Sequence, residues 1–262
     1  MEAEVKRRKR RVVLVALAAC LVVAGIGGTL AWFSAQSSLT NTFTVGNIKP
    51  PTTDPNNPDN PDVPFPTDPD NDPRIDGNLY EPHWVKDSKI APGASVAKDP
   101  YVGIGKDSNP AYTYVYVKNN LPDGAYFAIE QGWAPVATKT IQGQQDQYTE
   151  GLFAYTGKGV GGTGTAEYNA GKGLAVLDPK PDQSAAAKDA WTVSPLFTHI
   201  KTGATYDTTG MESTTDPKKQ IEVYAYVAAK SADGDKLEDL DAAAKAWVKS
   251  VDPSQTVITD AA

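Results

Sequence analysis

The chain has little of what several common protein classes need. Cysteine occurs once among the 262 residues, as Cys20, and histidine occurs twice. A single cysteine excludes intramolecular disulfides, paired-cysteine redox chemistry and cysteine metal sites. Arginine is scarce too, because only Arg74 lies beyond the first 31 residues. Core packing must therefore supply the stability of the fold.

Positive charge is concentrated at the N terminus. The first 31 residues hold six basic side chains, and the remainder carries 19 basic against 30 acidic ones, a net charge of −11. Such an acidic, arginine-poor surface lacks the cationic footprint that phosphate recognition requires. The composition therefore predicts that nucleic acid is not a partner.

Familiar catalytic patterns are also missing. His83 and His199 form no HExxH pair, and no GxSxG motif occurs. Two separate histidines are more often unrelated polar residues than ligands of one metal ion. We predict a protein that is not an enzyme, with no catalytic residues, no cofactor and no metal site.

The N terminus has the three parts of an export signal. A basic cluster, KRRKRR at 6–11, precedes thirteen residues without a polar side chain at 12–24. Thr29 and Ala31 are small enough for the subsites of a signal peptidase, which predicts cleavage between Ala31 and Trp32. The signal peptide then spans residues 1–31, and the protein is secreted to the cell surface or extracellular matrix.

Two alternatives remain open at this terminus. The apolar run extended through Phe33 reaches 22 residues, which is enough to span a bilayer without being cut. The sequence LAAC at 17–20 also has the pattern that precedes a lipid-modified Cys20. Either alternative holds the protein at the membrane.

The rest of the chain divides into three regions. Residues 32–49 contain one short strand, which ends at the turn signal Gly46-Asn47. Residues 50–78 hold nine prolines, seven aspartates and one basic residue, a composition that cannot bury a core and predicts a linker. Fully extended, this linker reaches roughly 90 Å. Residues 79–262 are long enough for one buried core.

The clearest strands of this domain are AYTYVYVK at 111–118 and QIEVYAYV at 220–227. Apolar and tyrosine side chains alternate along both, as in strands with one face on a core. The tyrosines are predicted to form cross-strand pairs, with a contact face for a partner or glycan as the alternative. They are Tyr112, Tyr114, Tyr116, Tyr224 and Tyr226.

Weaker strands are predicted near 95–104, 125–131, 148–155, 173–177 and 195–201, separated by turn signals. Near the C terminus, KLEDLDAAAKAWVKSV carries an apolar stripe at helical spacing and predicts one helix, which we expect at an end or edge of the fold. The predicted fold class is all-β, a jelly-roll-like antiparallel β-sandwich with one C-terminal helix.

Two stretches resemble a known family. GGTLAWFSAQSSLTNTFTVGNI at 27–48 and IAPGASVAKDPYVGIGKDSNPAYTYVYVK at 90–118 are similar to segments of the TasA/camelysin proteins, exported fibre proteins of Gram-positive biofilm matrices. The family members lack a proline-rich insert like the one at 50–78. With SPLFTHIKT, QIEVYAYVAA and AAAKAWV, the matches cover about half of the chain.

The resemblance implies processing by a dedicated signal peptidase and assembly of a homopolymer in which each N-terminal strand completes the sheet of the next subunit. Other matrix proteins or glycans are further expected partners. The positions that match the family's donated strand are Phe33, Leu39, Phe43, Val45 and Ile48. Two hypotheses follow: a fibre-forming structural protein, or a membrane-held binding module on a stalk.

Overall fold

A computed structural model describes residues 40–43, 47–52, 75–76, 78–84, 88, 90–157, 173–209, 220–232 and 234–258. The strands in these ranges are β1 (Thr40–Phe43), β2 (Ile75–Asp76), β3 (Leu79–Tyr80), β4 (Ser95–Ala97), β5 (Tyr101–Ile104), β6 (Ala111–Asn119), β7 (Ala125–Tyr126), β8 (Trp133–Thr140), β9 (Tyr148–Tyr155), β10 (Ala190–Trp191), β11 (His199–Thr202) and β12 (Ile221–Ala229). One helix, α1 (Leu237–Val251), follows them.

The strands form three sheets. The largest has the order β1-β12-β6-β9-β8, the second β10-β5-β3-β2 and the third β4-β11-β7. Every strand pair is antiparallel except β1 with β12, which is parallel. The described chain is thus an all-β sandwich with a single C-terminal helix, as the sequence predicts.

The five-stranded sheet is buried on both faces. On one face, Val115 of β6 and Val223 of β12 join a hydrophobic core to which the smaller sheets contribute Leu79 and Ile200. On the opposite face, tyrosines of the same two strands pack beneath α1. The predicted alternation along β6 and β12 is therefore confirmed, because successive side chains enter different cores.

The predicted strands match the structure unevenly. Strand β9 has the predicted bounds, while the segment at 173–177 forms only an isolated bridge, between Leu177 and Ala111. Strand β8 is not predicted by the pattern. It contains Pro135 and lies at the sheet edge with two register shifts, where a proline is tolerated because one side of the strand needs no ladder partner.

Helix α1 lies on the tyrosine face of the five-stranded sheet rather than at an end or edge of the fold. Ala244, Trp247 and Val248 are its buried residues. The Trp247 ring lies 5.3 Å from the Tyr226 ring, and the Tyr114 hydroxyl donates to Asp241 at 2.8 Å. The position predicted for the helix is wrong because a second apolar face of the sheet needs cover.

Both ends of the predicted linker belong to the folded body. Residues 50–52 follow β1 and contact the body, as described below, while β2 pairs with β3 through Ile75 and Asp76. Asn78 is fully buried, and its side-chain amide donates to the Gly103 carbonyl at 2.5 Å. The other linker residues, 53–74 and Gly77, lie outside the described residues.

Candidate functional site

The N-terminal strand occupies the outer edge of the largest sheet. β1 pairs with β12 in parallel, with Thr40 opposite Tyr224 and Phe43 opposite Val227. On its other side β12 pairs with β6 along all nine of its residues. Because β1 adds to an edge through main-chain pairing, the contact depends on backbone geometry and register more than on particular side chains.

The chain after β1 is held on the body by a second set of contacts. We call residues 47–52 the anchor segment and residues 105–109 the receiving loop. The amides of Gly105 and Asn109 donate to the carbonyls of Lys49 and Asn47 at 2.7 and 2.8 Å. The Lys49 amide donates to the Ser108 hydroxyl at 2.7 Å. These bonds fix the anchor segment along the loop.

Apolar contacts complete this attachment. Ile48 is 9% exposed and joins the main core, and Pro51 is buried. Gly105 permits the close approach, because a Cβ there would lie 2.5 Å from the Pro50 carbonyl oxygen. A larger residue at position 105 must therefore displace the anchor segment or the receiving loop.

Asp189 joins the far end of the anchor segment to the receiving loop. Its carboxylate accepts hydrogen bonds from the Thr52 amide and, at 2.7 Å, from the Lys106 amide. The Thr52 hydroxyl donates to the same carboxylate at 3.1 Å. The Asp189 carboxylate therefore accepts hydrogen bonds from both the anchor segment and the receiving loop.

The predicted tyrosine pairs are formed across β6 and β12. The ring centroids of Tyr114 and Tyr226 are 6.1 Å apart, and those of Tyr116 and Tyr224 are 5.9 Å apart. All four side chains are buried beneath α1, and Tyr112 is half-buried. The four buried tyrosines form a packed layer and not an exposed contact face, which was the alternative for these residues.

A hydrogen-bond network joins this layer to the end of α1. The Tyr116 hydroxyl donates to Asp252 at 2.8 Å, and Lys118 contacts the same carboxylate at 3.1 Å. Burial alone would raise the pKa of Asp252, but hydrogen bonds from Ser254, Tyr116 and Lys118 hold it below its ordinary value. The ionised carboxylate therefore fixes the helix C terminus to the sheet.

A second charged cluster is buried where the chain leaves two strands, with Glu81 directly after β3 and Lys98 directly after β4. The Lys98 ammonium lies 2.8 Å from a Glu81 carboxylate oxygen, and neither side chain is more than 1% exposed. The other oxygen of Glu81 has no hydrogen-bond partner. Burial raises the pKa of Glu81, and the charge of Lys98 opposes that rise. The pair is a structural element of the interior.

The two histidines occupy different surroundings. The His83 ring contacts the Asp99 carboxylate at 2.6 Å, and burial raises the pKa of Asp99. His199 is exposed on β11. Across the described ranges, no group of three or more histidine, cysteine, aspartate or glutamate side chains has an arrangement that could hold a metal ion.

Much of the predicted N-terminal site lies outside the described residues. This holds for Thr29, Ala31 and Trp32 at the cleavage position, for Cys20, and for Phe33, Leu39 and Val45 of the donated strand. Of that strand's predicted residues, Phe43 ends β1, and Ile48 is a buried residue of the anchor segment. The sequence pattern missed Gly105 and Asp189, which contact residues 55 to 137 positions away.

Comparisons with known proteins give no match: neither the family models, nor the curated proteins, nor the solved structures include one. Within the part of the chain that the structure describes, no helix is both long enough and apolar enough to cross a membrane. The geometry of the β1 edge and of the anchor segment therefore carries the functional argument.

Proposed function

We propose that this chain is an exported structural protein of the cell surface or biofilm matrix that assembles into fibres by N-terminal strand addition. The observation that carries the proposal is the parallel pairing of β1 with the outer edge of β12. A strand at a sheet edge is held by main-chain hydrogen bonds, and an identical strand from a second copy makes the same bonds.

Exchange between copies leaves the local contacts unchanged. If β1 of one subunit pairs with β12 of the next, every contact inside that pair is kept, as in domain swapping. The link between subunits is then head-to-tail. When the rotation from one subunit to the next does not close a ring, such links propagate as a filament.

Two further observations support this function. The motif at residues 27–48 resembles the processed start and donated strand of the TasA/camelysin proteins, and β1 lies inside that motif. The all-β sandwich supplies the sheet edge that strand addition needs. A signal peptidase is the proposed processing partner, and other matrix proteins or glycans are proposed partners of the fibre.

A second candidate function is a binding module held at the membrane, either by an uncut N-terminal segment or through a lipid on Cys20. The pairing of β1 with its own β12 favours it, because a chain closed in this way is a complete monomer. Residues 53–74 then separate the anchored arm from the rest of the body. This candidate predicts single particles and no filaments.

Electron microscopy of the exported protein at neutral pH tests the proposal. We expect filaments of regular width from the unaltered chain and none from a variant carrying Asn41→Pro and Thr42→Pro. Consecutive amides of a strand point to opposite sides, so one of the two prolines removes a donor that faces β12. Asn57→Pro, which adds a proline to the proline-rich segment, is the matched control and should leave filaments intact.

Mixing the double-proline variant with wild-type chains gives a second test of strand addition. A subunit with the two prolines keeps its β12 edge but has no competent strand to give, so it should end a growing filament. We expect increasing amounts of it to shorten wild-type filaments in proportion. Filaments from the double-proline variant alone would contradict strand addition.

A further inference from the structure

The exchanged part of the chain need not end at β1. Phe43 is paired with β12, and Asn47 is hydrogen-bonded to the receiving loop, so only residues 44–46 join two attached points. Four peptide steps span at most about 14 Å. If a subunit exchanged β1 alone, its anchor segment would stay on its own receiving loop. The neighbour's sheet edge would then have to lie within about 14 Å of that loop.

The chain beyond Thr52 offers far more length. Twenty-two residues, 53–74, separate Thr52 from β2, where the chain rejoins the body. At about 3.1 Å per residue in the extended form that proline favours, this segment spans up to roughly 70 Å. An exchange that takes place after Thr52 therefore puts almost no restriction on how two bodies approach.

We propose that the exchanged arm comprises residues 40–52, and that the groove between the receiving loop and Asp189 is a binding site for the anchor segment of a second copy. This inference rests on the proposed function. It adds a second docking site, separate from the β12 edge, that recognises the sequence Asn-Ile-Lys-Pro-Pro-Thr.

The chemistry of the groove fits that occupant. Two backbone–backbone bonds, to the carbonyls of Asn47 and Lys49, set the register of the segment, and the Ser108 hydroxyl bonds both the amide and the carbonyl of Lys49. The Asn47 side-chain amide donates to the Asp107 carbonyl at 2.8 Å, which reads a side chain as well as the backbone. Burial of Ile48 supplies apolar contact area, and Asp189 receives the last residue of the segment.

Cross-linking between differently labelled chains tests the inference. Lys49 and Ser108 are adjacent, since the Lys49 amide lies 2.7 Å from the Ser108 hydroxyl. Full-length chains with Cys20→Ser are produced in a Gram-positive host that exports them, one carrying Lys49→Cys and the other Ser108→Cys. Mixed filaments are treated with a short bifunctional thiol reagent and separated under denaturing conditions.

We expect a covalent dimer in the mixed filaments and, for a chain carrying both cysteines, a ladder of covalent multimers. Filaments in which the doubly substituted chain gives only internally linked monomer would overturn the inference and leave strand addition by β1 standing. Absence of filaments from wild-type chains would instead count against the proposed function itself.

Substitution at Gly105 provides a second test. Gly105→Val should prevent the groove from accepting an anchor segment while leaving the subunit's own arm able to leave, so it should shorten wild-type filaments when mixed in. Gly203→Val is the matched control, because a Cβ at Gly203 meets nothing within 4 Å. Thermal unfolding of both variants checks that the body remains folded. Equal effects of the two variants on filament length would contradict the proposed groove.

Discussion

Replacing Lys98 with methionine is expected to lower the free energy of unfolding by about 3–5 kcal/mol at neutral pH. The loss arises because the Glu81 carboxylate stays buried without its cationic partner. Glu81 is fully buried, one of its oxygens already lacks a partner, and Lys98 makes the ion pair at 2.8 Å. Removing the cation leaves a buried charge without compensation. Urea unfolding of the variant and the wild type at pH 7 measures the difference.

The pH dependence of this loss has a definite sign. Burial raises the pKa of Glu81, and without Lys98 it should rise further. Between the unfolded and folded pKa values, the folded state binds more protons than the unfolded state, so stability falls as pH rises through this range. The penalty of Lys98→Met should therefore be full above the folded pKa of Glu81 and shrink as the pH is lowered towards 4.5.

The matched control removes both charges. A chain with Glu81→Leu and Lys98→Met replaces the pair by apolar side chains, and such replacements are often neutral or stabilising. We expect its stability to lie within about 1–2 kcal/mol of the wild type and to lose the Glu81 contribution to the pH dependence. A double variant as unstable as Lys98→Met alone would show that the charge of Glu81 is not the cause.

Replacing Trp247 with alanine is expected to cost about 3–5 kcal/mol, the range for deleting a large aromatic side chain from a core. Trp247 is 6% exposed and lies against Tyr226, so its loss opens a cavity between α1 and the sheet. The tyrosine face should then become partly accessible. Thermal unfolding measures the loss, and binding of a hydrophobic fluorescent dye reports the exposure.

Trp247→Phe serves as the control, because it keeps an aromatic ring against Tyr226 and should cost clearly less. The indole nitrogen of Trp247 has no hydrogen-bond partner, so neither substitution removes a side-chain hydrogen bond. If Trp247→Ala left both the midpoint and the dye signal unchanged, the helix would not be what covers the tyrosine layer.

Local patterns were enough to predict the central strands and the helix. Alternation in AYTYVYVK and QIEVYAYV gives β6 and β12 almost residue for residue, because both strands separate two different cores. The stripe through Leu240, Ala244 and Val248 likewise gives α1. These elements are long and strongly periodic, which makes their type readable from the residues alone.

The positions that depend on distant partners could not be read in this way. From the sequence alone, the tyrosine face of β6 resembles a face exposed to solvent. It is covered by α1, which lies more than a hundred residues later in the chain. Asp189 looks like any loop aspartate, yet it binds Thr52 across 137 positions. Pro50 and Pro51 have the composition of a linker, yet the close approach of Pro50 to Gly105 and the burial of Pro51 show that they belong to the body.

The 22 residues between Thr52 and β2 also set the effective concentration of the arm at its own body. An arm tethered to its own body competes with free subunits as if present at about millimolar concentration. At a subunit concentration of about 10 μM, the closed monomer is then favoured by about 2.7 kcal/mol. Contacts between neighbouring bodies must exceed this amount for a fibre to grow. If the chain assembles by the proposed strand addition, the length of the segment at 53–74 sets the subunit concentration that assembly requires.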